Sequence, residues 1–191
     1  YEGYIFDLDG TLVDSMPLHY RAWREALARA GAPDHVFRAD EFYSCGGKSA
    51  NDVVRFLNER YGMHMDAAST AADKRRIYLE MLEKEGMQPI REVVEFVHSL
   101  GDAPKAIATG SAMPGASRTL AAAGLSGLFD VILTPDEVEH GKPAPDMFLK
   151  AAELLGVSPD RCVVFEDAEP GMKAAAAAGM DCVQVRRPSL A

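Results

Sequence analysis

The stretch YIFDLDGTLVDS, residues 4–15, places two aspartates one residue apart directly behind a run of aromatic and branched apolar side chains. Such a run predicts a buried strand, and the glycine after the second aspartate predicts a turn. Asp7 and Asp9 would then lie together at the end of that strand, where their like charges repel each other. A divalent cation between the carboxylates would relieve this repulsion, and such a site needs further polar groups nearby.

Short apolar runs along the chain predict strands, and amphipathic segments between them predict helices. The strand-like runs cover 3–9, 105–110, 130–134, 161–167 and 182–186. The helical segments cover 91–101, 113–125, 144–156 and 170–179, and the glycines that suit left-handed caps at their ends are Gly101, Gly124, Gly156 and Gly179. Strands that alternate with helices predict an α/β fold with a doubly wound parallel sheet.

Residues 15–86 interrupt this alternation, because they contain only helical patterns and no convincing strand. We interpret this region as an α-helical cap domain inserted after the first strand. The α/β core domain then consists of residues 1–14 and 87–191. We predict hinges at Asp14–Ser15 and at Glu83–Gly86, with the cap opening and closing over the site in each turnover.

The composition narrows the functional classes. The net charge of −9 argues against a nucleic-acid surface, which needs clustered basic residues. No apolar run approaches the roughly 18 residues that span a membrane, so we expect no membrane association. The three cysteines are scattered and lack metal-site spacing, which predicts a reducing, cytoplasmic compartment. Nothing indicates a subunit interface, and a monomer is expected.

Ligands of open α/β sheets bind outside the carboxyl ends of the strands. The polar residues at or just after these ends are Asp7, Asp9, Thr109, Gly110, Ser111, Lys142, Glu166 and Asp167. The four carboxylates suit Mg²⁺, which prefers oxygen ligands and shares its shell with a substrate phosphate. The Thr-Gly-Ser segment offers hydrogen-bond donors to a phosphate at the start of a helix. We therefore expect these side chains to converge on one phosphate and metal site.

The same residues can perform phosphoryl transfer. A carboxylate that faces a phosphate can attack it, which would make Asp7 a nucleophile that forms an aspartyl-phosphate. Asp9, two residues on, can exchange a proton with the leaving group and with water. Lys142 supplies a compact positive charge for a carboxylate and a phosphoryl oxygen. Each motif alone also fits a turn, a helix start or a helix cap, and the prediction depends on their joint occurrence at successive strand ends.

The segments DLDGTLVDS, ATGS, GKPAPDMF and VVFEDAEPGMKAAAAAGM resemble the four motifs of the haloacid dehalogenase-like hydrolase superfamily. More narrowly, they are similar to the subgroup of β-phosphoglucomutases and small sugar-phosphate phosphatases. The resemblance covers essentially the whole chain. It implies a Rossmann-like core with an inserted helical cap, and Mg²⁺ as the cofactor.

The resemblance also implies a role for each matching residue. Asp7 matches the nucleophile and a metal ligand, and Asp9 matches the general acid and base that gives its backbone carbonyl to the metal. Thr109 matches the phosphate-binding hydroxyl, and Lys142 matches the lysine of the third motif. Glu166 and Asp167 match the acidic pair of the metal site. An aspartate at position 9 indicates phosphoryl transfer, because dehalogenase relatives lack it.

Residues of the cap bear on the substrate. His19 and Trp23 lie four positions apart on one helix face, as in β-phosphoglucomutase relatives, although a simple packing pair would show the same spacing. Lys74 occupies the position of a cap lysine of the mutases, although a solvated helix surface is the alternative. Mutases carry a phosphate-binding arginine where this chain has Ser49, and only Lys48 could replace it, as a point charge.

These observations predict a Mg²⁺-dependent phosphatase that hydrolyses a small phosphorylated metabolite. A sugar phosphate is the favoured substrate class. The alternative is a sugar-phosphate mutase of the β-phosphoglucomutase type, which Ser49 disfavours because a mutase must bind a bisphosphate at both ends. A non-catalytic phosphate-binding or metal-binding module is a third possibility. The presence of every core motif residue argues against it.

Overall fold

The computed structural model describes residues 1–46 and 48–186, so the last residues of the predicted core domain, 187–191, lie outside it. Five parallel strands form one sheet in the order β3-β2-β1-β4-β5. The strands are β1 Gly3–Phe6, β2 Lys105–Ala108, β3 Val131–Leu133, β4 Cys162–Glu166 and β5 Asp181–Gln184. The predicted α/β class with a parallel sheet is confirmed.

Eight α-helices accompany the sheet within the described residues. They are α1 Met16–Arg29, α2 Ala39–Ser44, α3 Ala50–Tyr61, α4 Ala67–Glu85, α5 Arg91–Ser99, α6 Met113–Ala122, α7 Asp146–Leu155 and α8 Glu169–Ala177. The first four precede α5, and no strand forms within 15–46 or 48–86. This arrangement agrees with a helical insertion after β1, whose domain boundaries stay a prediction.

The predicted first strand, 3–9, is too long. β1 ends at Phe6, because the chain from Leu8 onward folds into a turn in which the amides of Leu12 and Val13 donate to the Leu8 carbonyl. Gly10 lies in this turn with a φ of 93°, a conformation that favours glycine. The last strand also ends earlier than predicted: β5 covers 181–184, where 182–186 was predicted.

The sheet lies between two layers of helices, which confirms the doubly wound arrangement. Successive side chains of β1 point to opposite faces, as strand geometry requires. Ile5 packs in a cluster with Met147 and Phe148 of α7, whereas Phe6 packs in a cluster with Val97 of α5 and with α6. All these side chains are buried, so β1 forms the centre of the core and its end is a rigid support for Asp7.

The inserted helices have a small apolar core of their own, but two of them also pack on the sheet domain. Trp23, Phe37 and Leu57 belong to the separate cluster of the insertion. Leu18 of α1 and Ile77 of α4 instead join the cluster that contains β1 and α6. In this structure the cap therefore lies directly on the core, above the carboxyl ends of the strands.

Candidate active site

The carboxyl ends of β1 and β4 bring three buried carboxylates together. These strands are adjacent and parallel, so the chain leaves both of them at the same edge of the sheet. Asp7 follows β1, Glu166 is the last residue of β4, and Asp167 comes next. All three are buried, and one oxygen of each lies within 4.8 Å of the others. The structure therefore places these predicted site residues in one acidic cluster.

Lys142 reaches this cluster from the loop before α7. Its Nζ donates to Asp7 Oδ1 at 2.7 Å and to Glu166 Oε1 at 2.8 Å, and it is buried. Burial opposes the charge of Lys142, but the two carboxylates outweigh it and raise the pKa of the lysine. Burial raises the pKa of Asp7 well above its usual range, against the opposing effect of Lys142. One ammonium group thus contacts two carboxylates of a cluster that contains three, so negatively charged groups outnumber Lys142 there.

Two glycines make room for these carboxylates. A Cβ atom at Gly171, in the first turn of α8, would overlap the carboxylate of Glu166, and one at Gly10 would overlap that of Asp167. The absence of a side chain at Gly171 lets Glu166 lie against the helix backbone, where its Oε2 accepts the amide of Ala168 at 2.7 Å. These glycines are therefore part of the construction of the acidic cluster.

We expect Gly171→Ala to destabilise the protein by about 1–3 kcal/mol, because the added methyl group must displace Glu166 or the helix backbone. The displaced Glu166 would also lose its hydrogen bonds to Lys142 and Ala168. Thermal unfolding of the two proteins measures the effect. Gly115→Ala is the matched control, since a Cβ at this helical glycine meets no atom within 4 Å. An unchanged melting temperature for Gly171→Ala would contradict the steric explanation.

Asp9 lies apart from the acidic cluster and is surrounded by hydrogen-bond donors. Its Oδ1 accepts from Ser15 Oγ at 2.5 Å and lies 2.9 Å from His19 Nε2. Its Oδ2 accepts from Ser111 Oγ at 2.7 Å and from Thr109 Oγ1 at 3.4 Å. Burial acts to raise the pKa of Asp9, but His19 and the hydroxyl donors outweigh it and lower the pKa below its usual range. Core and inserted helices thus both contribute contacts to Asp9.

His19 connects Asp9 to a buried lysine. Lys74 Nζ lies 2.8 Å from His19 Nδ1. An ammonium group can only donate, so Nδ1 is the acceptor and the ring proton lies on Nε2, which donates to Asp9. Burial lowers the pKa of His19, and the charge of Lys74 acts in the same direction. Burial also lowers the pKa of Lys74, to about 8. The solvated-surface alternative for Lys74 is wrong, because the residue is buried.

A single cavity of about 580 Å³ joins these groups. Asp7, Asp9, Gly110, Ser111, Glu166 and Asp167 line it on the core side. Thr109 is fully buried, and its hydroxyl accepts the amide of Ser111 at 3.0 Å, which shapes the loop. His19, Trp23, Phe42, Lys48, Ser49 and Lys74 line the cavity on the cap side. All the predicted site residues except Lys142 and Thr109 thus face one space, and these two contact its carboxylates directly.

Lys48 and Ser49 differ in what their side chains do. Ser49 is the N-cap of α3, where its hydroxyl accepts the Asp52 amide at 3.2 Å and lies 2.6 Å from an Asp52 carboxylate oxygen. Lys48 Nζ lies 4.7 Å from the centre of the Phe56 ring. The cavity therefore has a cation at Lys48, while the hydroxyl of Ser49 is engaged by its own helix.

Sequence reasoning missed two contacts of the site. Ser15 was predicted as a hinge residue only, yet its hydroxyl donates to Asp9. Tyr78 received no role, yet its ring stacks on His19 with centroids 4.0 Å apart and planes at 9°. The helical spacing of Lys74 and Tyr78, four positions apart, was the signal that could have indicated a shared face.

Comparison with known proteins agrees with this geometry. A family model described as haloacid dehalogenase-like hydrolase matches residues 1–179. The chain belongs to this hydrolase family. The fructose-1-phosphate phosphatase YqaB of Escherichia coli is 39% identical over 187 residues, which cover 97% of each protein. The hexitol phosphatase A of the same organism is 35% identical over 192 residues, covering 98% of this chain and 84% of the relative.

Among solved structures, the β-phosphoglucomutase of Clostridium difficile superposes with a TM-score of 0.81 at 27% identity. The match covers 96% of this chain and 83% of that one. The resemblance to the family of these hydrolases and mutases is thereby confirmed, and with it the prediction that the chain is an enzyme of this hydrolase family. No helix within the described residues has the length and apolar character to cross a membrane.

Proposed function

We propose that this enzyme is a Mg²⁺-dependent phosphatase that hydrolyses a small sugar phosphate through an aspartyl-phosphate on Asp7. The observation that carries the proposal is the different surroundings of the two aspartates on one cavity. Asp7 lies among acidic groups and contacts Lys142, whereas Asp9 is held by donors from both core and cap. Two carboxylates in contrasting environments are the usual basis for a division into nucleophile and acid–base.

The acidic cluster fits a divalent cation. Three buried carboxylates lie close together, and Lys142 contacts two of them, so the concentration of negative charge favours a further positive charge. Asp7 and Asp167 side chains and the Asp9 backbone carbonyl would hold Mg²⁺, with Glu166 completing the set. When bound, the ion supplies positive charge to the oxygens of the transferring phosphoryl group. The readout for this site is metal binding by the chain itself, for example a rise in melting temperature with Mg²⁺.

The chain's own residues account for both proton transfers. An Asp7 oxygen forms a bond to phosphorus while the ester bond to the sugar oxygen breaks, and Asp9 gives its proton to that oxygen. Water then attacks the phosphorus, its proton passes to Asp9, and phosphate leaves with Asp7 restored. A bound substrate raises the pKa of Asp9, because its phosphate adds negative charge nearby and competes for the Ser111 hydroxyl. Asp9 can thereby take up the proton that the first step needs.

The substrate class follows from the cavity and from the relatives. A cavity of about 580 Å³ exceeds the space that a phosphate alone needs and suits a small phosphorylated metabolite. Trp23 and Phe42 provide apolar faces, and Lys48 provides a charge, on the cap side of the cavity. Two relatives that share more than a third of their residues with this chain carry the names of a fructose-1-phosphate phosphatase and a hexitol phosphatase.

The second candidate function is a sugar-phosphate mutase, which shares the first half of the reaction. The similarity to a β-phosphoglucomutase structure favours it. Ser49 disfavours it, because its hydroxyl caps α3 and cannot form the bidentate contact of an arginine with a distal phosphate. Lys48 would then be the remaining cation of the cap loop for a second phosphate.

The deciding experiment measures phosphate release from a panel of esters, with Mg²⁺ and with EDTA. The panel contains hexose 1- and 6-phosphates, fructose 1-phosphate, hexitol phosphates, glycerol phosphates, 6-phosphogluconate and nucleotides. We expect metal-dependent release from one or a few sugar phosphates. Release from none, together with isomerisation of β-glucose 1-phosphate in the presence of a bisphosphate primer, would support the mutase. Neither activity in a protein that binds Mg²⁺ would support a non-catalytic module.

Cap motion, compartment and oligomeric state complete the proposal. The first predicted hinge segment lies beside the chain that follows the second, since the amide of Asp14 donates to the carbonyl of Gln88, two residues after Gly86. This arrangement supports a hinge there, because the two chain segments that connect cap and core are neighbours at this point. All three cysteines are free thiols, in keeping with the predicted cytoplasmic location. A monomer remains the expected state.

A further inference from the structure

We propose that Tyr78 is a positioning residue, whose hydrogen bond to Thr119 across the boundary between cap and core orients His19 toward Asp9. The inference rests on the proposed phosphatase function and concerns residues outside the four motifs. Its basis is a continuous chain of contacts from a core helix, through Tyr78 and His19, to the carboxylate that exchanges protons.

The first contact joins the two parts of the molecule. Tyr78 lies on α4 of the insertion, and its hydroxyl is 2.7 Å from Thr119 Oγ1 on α6 of the core. Both side chains are buried, 3% and 1% exposed, so water does not compete for this hydrogen bond. Burial also raises the pKa of Tyr78. The phenol therefore stays protonated, and its hydrogen bond joins α4 to α6 in this arrangement of cap and core.

The second contact extends from the Tyr78 ring to His19. The two rings are nearly parallel, with a 9° angle between their planes and 4.0 Å between their centres. Stacking limits the tilt of the imidazole, while Lys74 Nζ determines which nitrogen accepts. The ring of Tyr78 also lies 5.3 Å from Lys74 Nζ, a cation–π distance. Tyr78 thus restrains both His19 and the lysine that sets its tautomer.

The consequence is a coupling between cap position and the proton on Asp9. α6 begins directly after the loop that carries Ser111, one of the core donors to Asp9 Oδ2. Tyr78 connects that same helix to His19, one of the cap donors to Asp9 Oδ1. A donor on each side of Asp9 is therefore positioned with respect to α6 when the hydrogen bond is present. Without it, Tyr78 and the stacked His19 would lose this polar contact with α6.

The test is Tyr78→Phe, which removes the hydroxyl and keeps the stacked ring. We compare kcat/KM for the sugar phosphate selected by the panel with kcat/KM for p-nitrophenyl phosphate. The sugar oxygen needs a proton from Asp9 to leave, whereas p-nitrophenolate leaves without one. We expect about a tenfold loss with the sugar phosphate, the size of one ordinary hydrogen bond, and less than twofold with p-nitrophenyl phosphate. Because kcat/KM reports only the steps up to the phosphoenzyme, the later hydrolysis does not enter.

Further variants test whether Tyr78 acts through Thr119 and His19. Thr119→Val removes the partner and should reproduce the loss, and the double variant should show no further loss. In a His19→Ala background, Tyr78→Phe should change kcat/KM by less than twofold, since the residue it positions is gone. The matched control is Tyr61→Phe, which removes a hydroxyl hydrogen bond to Glu41 at 2.8 Å inside the cap and away from the cavity. Tyr61→Phe should leave kcat/KM for both substrates unchanged.

Equal losses with both substrates, or an undiminished effect of Tyr78→Phe without His19, would show a purely structural role and overturn the inference. So would a Tyr78→Phe enzyme with wild-type kcat/KM for the sugar phosphate. Failure of the proposed function is a separate result, because the wild-type protein would then release phosphate from neither compound. Melting temperatures of all variants identify any loss that comes from unfolding.

Discussion

Asp7→Asn is expected to abolish phosphate release while the protein remains folded. The amide keeps the size of the carboxylate but cannot serve as the attacking oxygen nucleophile, so no aspartyl-phosphate can form. We expect kcat to fall by a factor on the order of 10⁴ or more, as for other enzymes that lose their nucleophile. The measurement is phosphate release from the best sugar phosphate, together with trapping of covalent phosphate on the protein after acid quenching.

The surroundings of Asp7 explain why the fold should tolerate this change. Burial raises the pKa of Asp7, and Glu166 and Asp167 add to the rise, so its charge is a cost to the folded state in the absence of metal. Removal of that charge should leave the melting temperature in EDTA unchanged or higher. Asp102→Asn, at an exposed turn, is the matched control and should leave activity and melting temperature unaltered. Turnover by Asp7→Asn would contradict the covalent mechanism.

The sheet and the acidic cluster could be predicted because their determinants are local in the sequence. Each strand is a short apolar run between turn residues, and the end of a parallel strand fixes where the next side chain lies. Asp7 and Glu166 therefore follow directly from the alternation of strands and helices. The end of β1 was predicted three residues too late, because the turn that starts at Leu8 uses apolar residues that continue the pattern of a strand.

The contacts of Asp9 with the cap could not be predicted in the same way. They depend on how α1 and α4 pack on the sheet domain, which no spacing within either helix specifies. Leu18 and Ile77 indicate only that α1 and α4 each have a buried face. The hydrogen bond between Tyr78 and Thr119 joins residues that are 41 positions apart in the sequence. The helical spacing of His19 and Trp23 was equally compatible with packing alone. In the structure the two residues have different contacts: Trp23 packs in the apolar cluster of the cap, whereas His19 contacts Asp9.

Lys142→Met should cost both activity and stability, and the two losses have one cause. Lys142 is 3% exposed, and its ammonium group is the shared partner of Asp7 and Glu166. An apolar side chain of similar length fills the space but leaves two buried carboxylates without a cation. Such a change costs about 3–5 kcal/mol in folding free energy. Phosphate release should fall as well, because the positive charge beside the transferring group is lost.

Lys105→Met is the matched control for Lys142→Met. It removes a buried lysine without removing the partner of a carboxylate. Lys105 is also buried, but its Nζ donates to the backbone carbonyls of Gly101 and Ala103. Its replacement should destabilise the protein equally with and without Mg²⁺. The Lys142→Met variant should instead recover part of its melting temperature when Mg²⁺ neutralises the carboxylates. Equal rises in melting temperature with Mg²⁺ in the two variants would contradict the idea that the ion neutralises the carboxylates that Lys142 leaves unpaired.

The dependence on pH provides an independent check of the same cause. Without Lys142, the folded-state pKa of Asp7 rises further above the unfolded value, because its charge has lost the ammonium partner that opposed the rise. A group with a raised folded pKa stabilises the folded state at low pH, and this contribution is lost as the pH rises through that pKa. In EDTA the difference in melting temperature between wild type and Lys142→Met should therefore narrow as the pH is lowered from 8 toward 5. A difference in melting temperature that stays constant over this range would mean that the unpaired carboxylates do not cause the destabilisation. Lys142 would then contribute through its packing, with its Nζ 5.1 Å from the centre of the Phe148 ring, instead of through its charge.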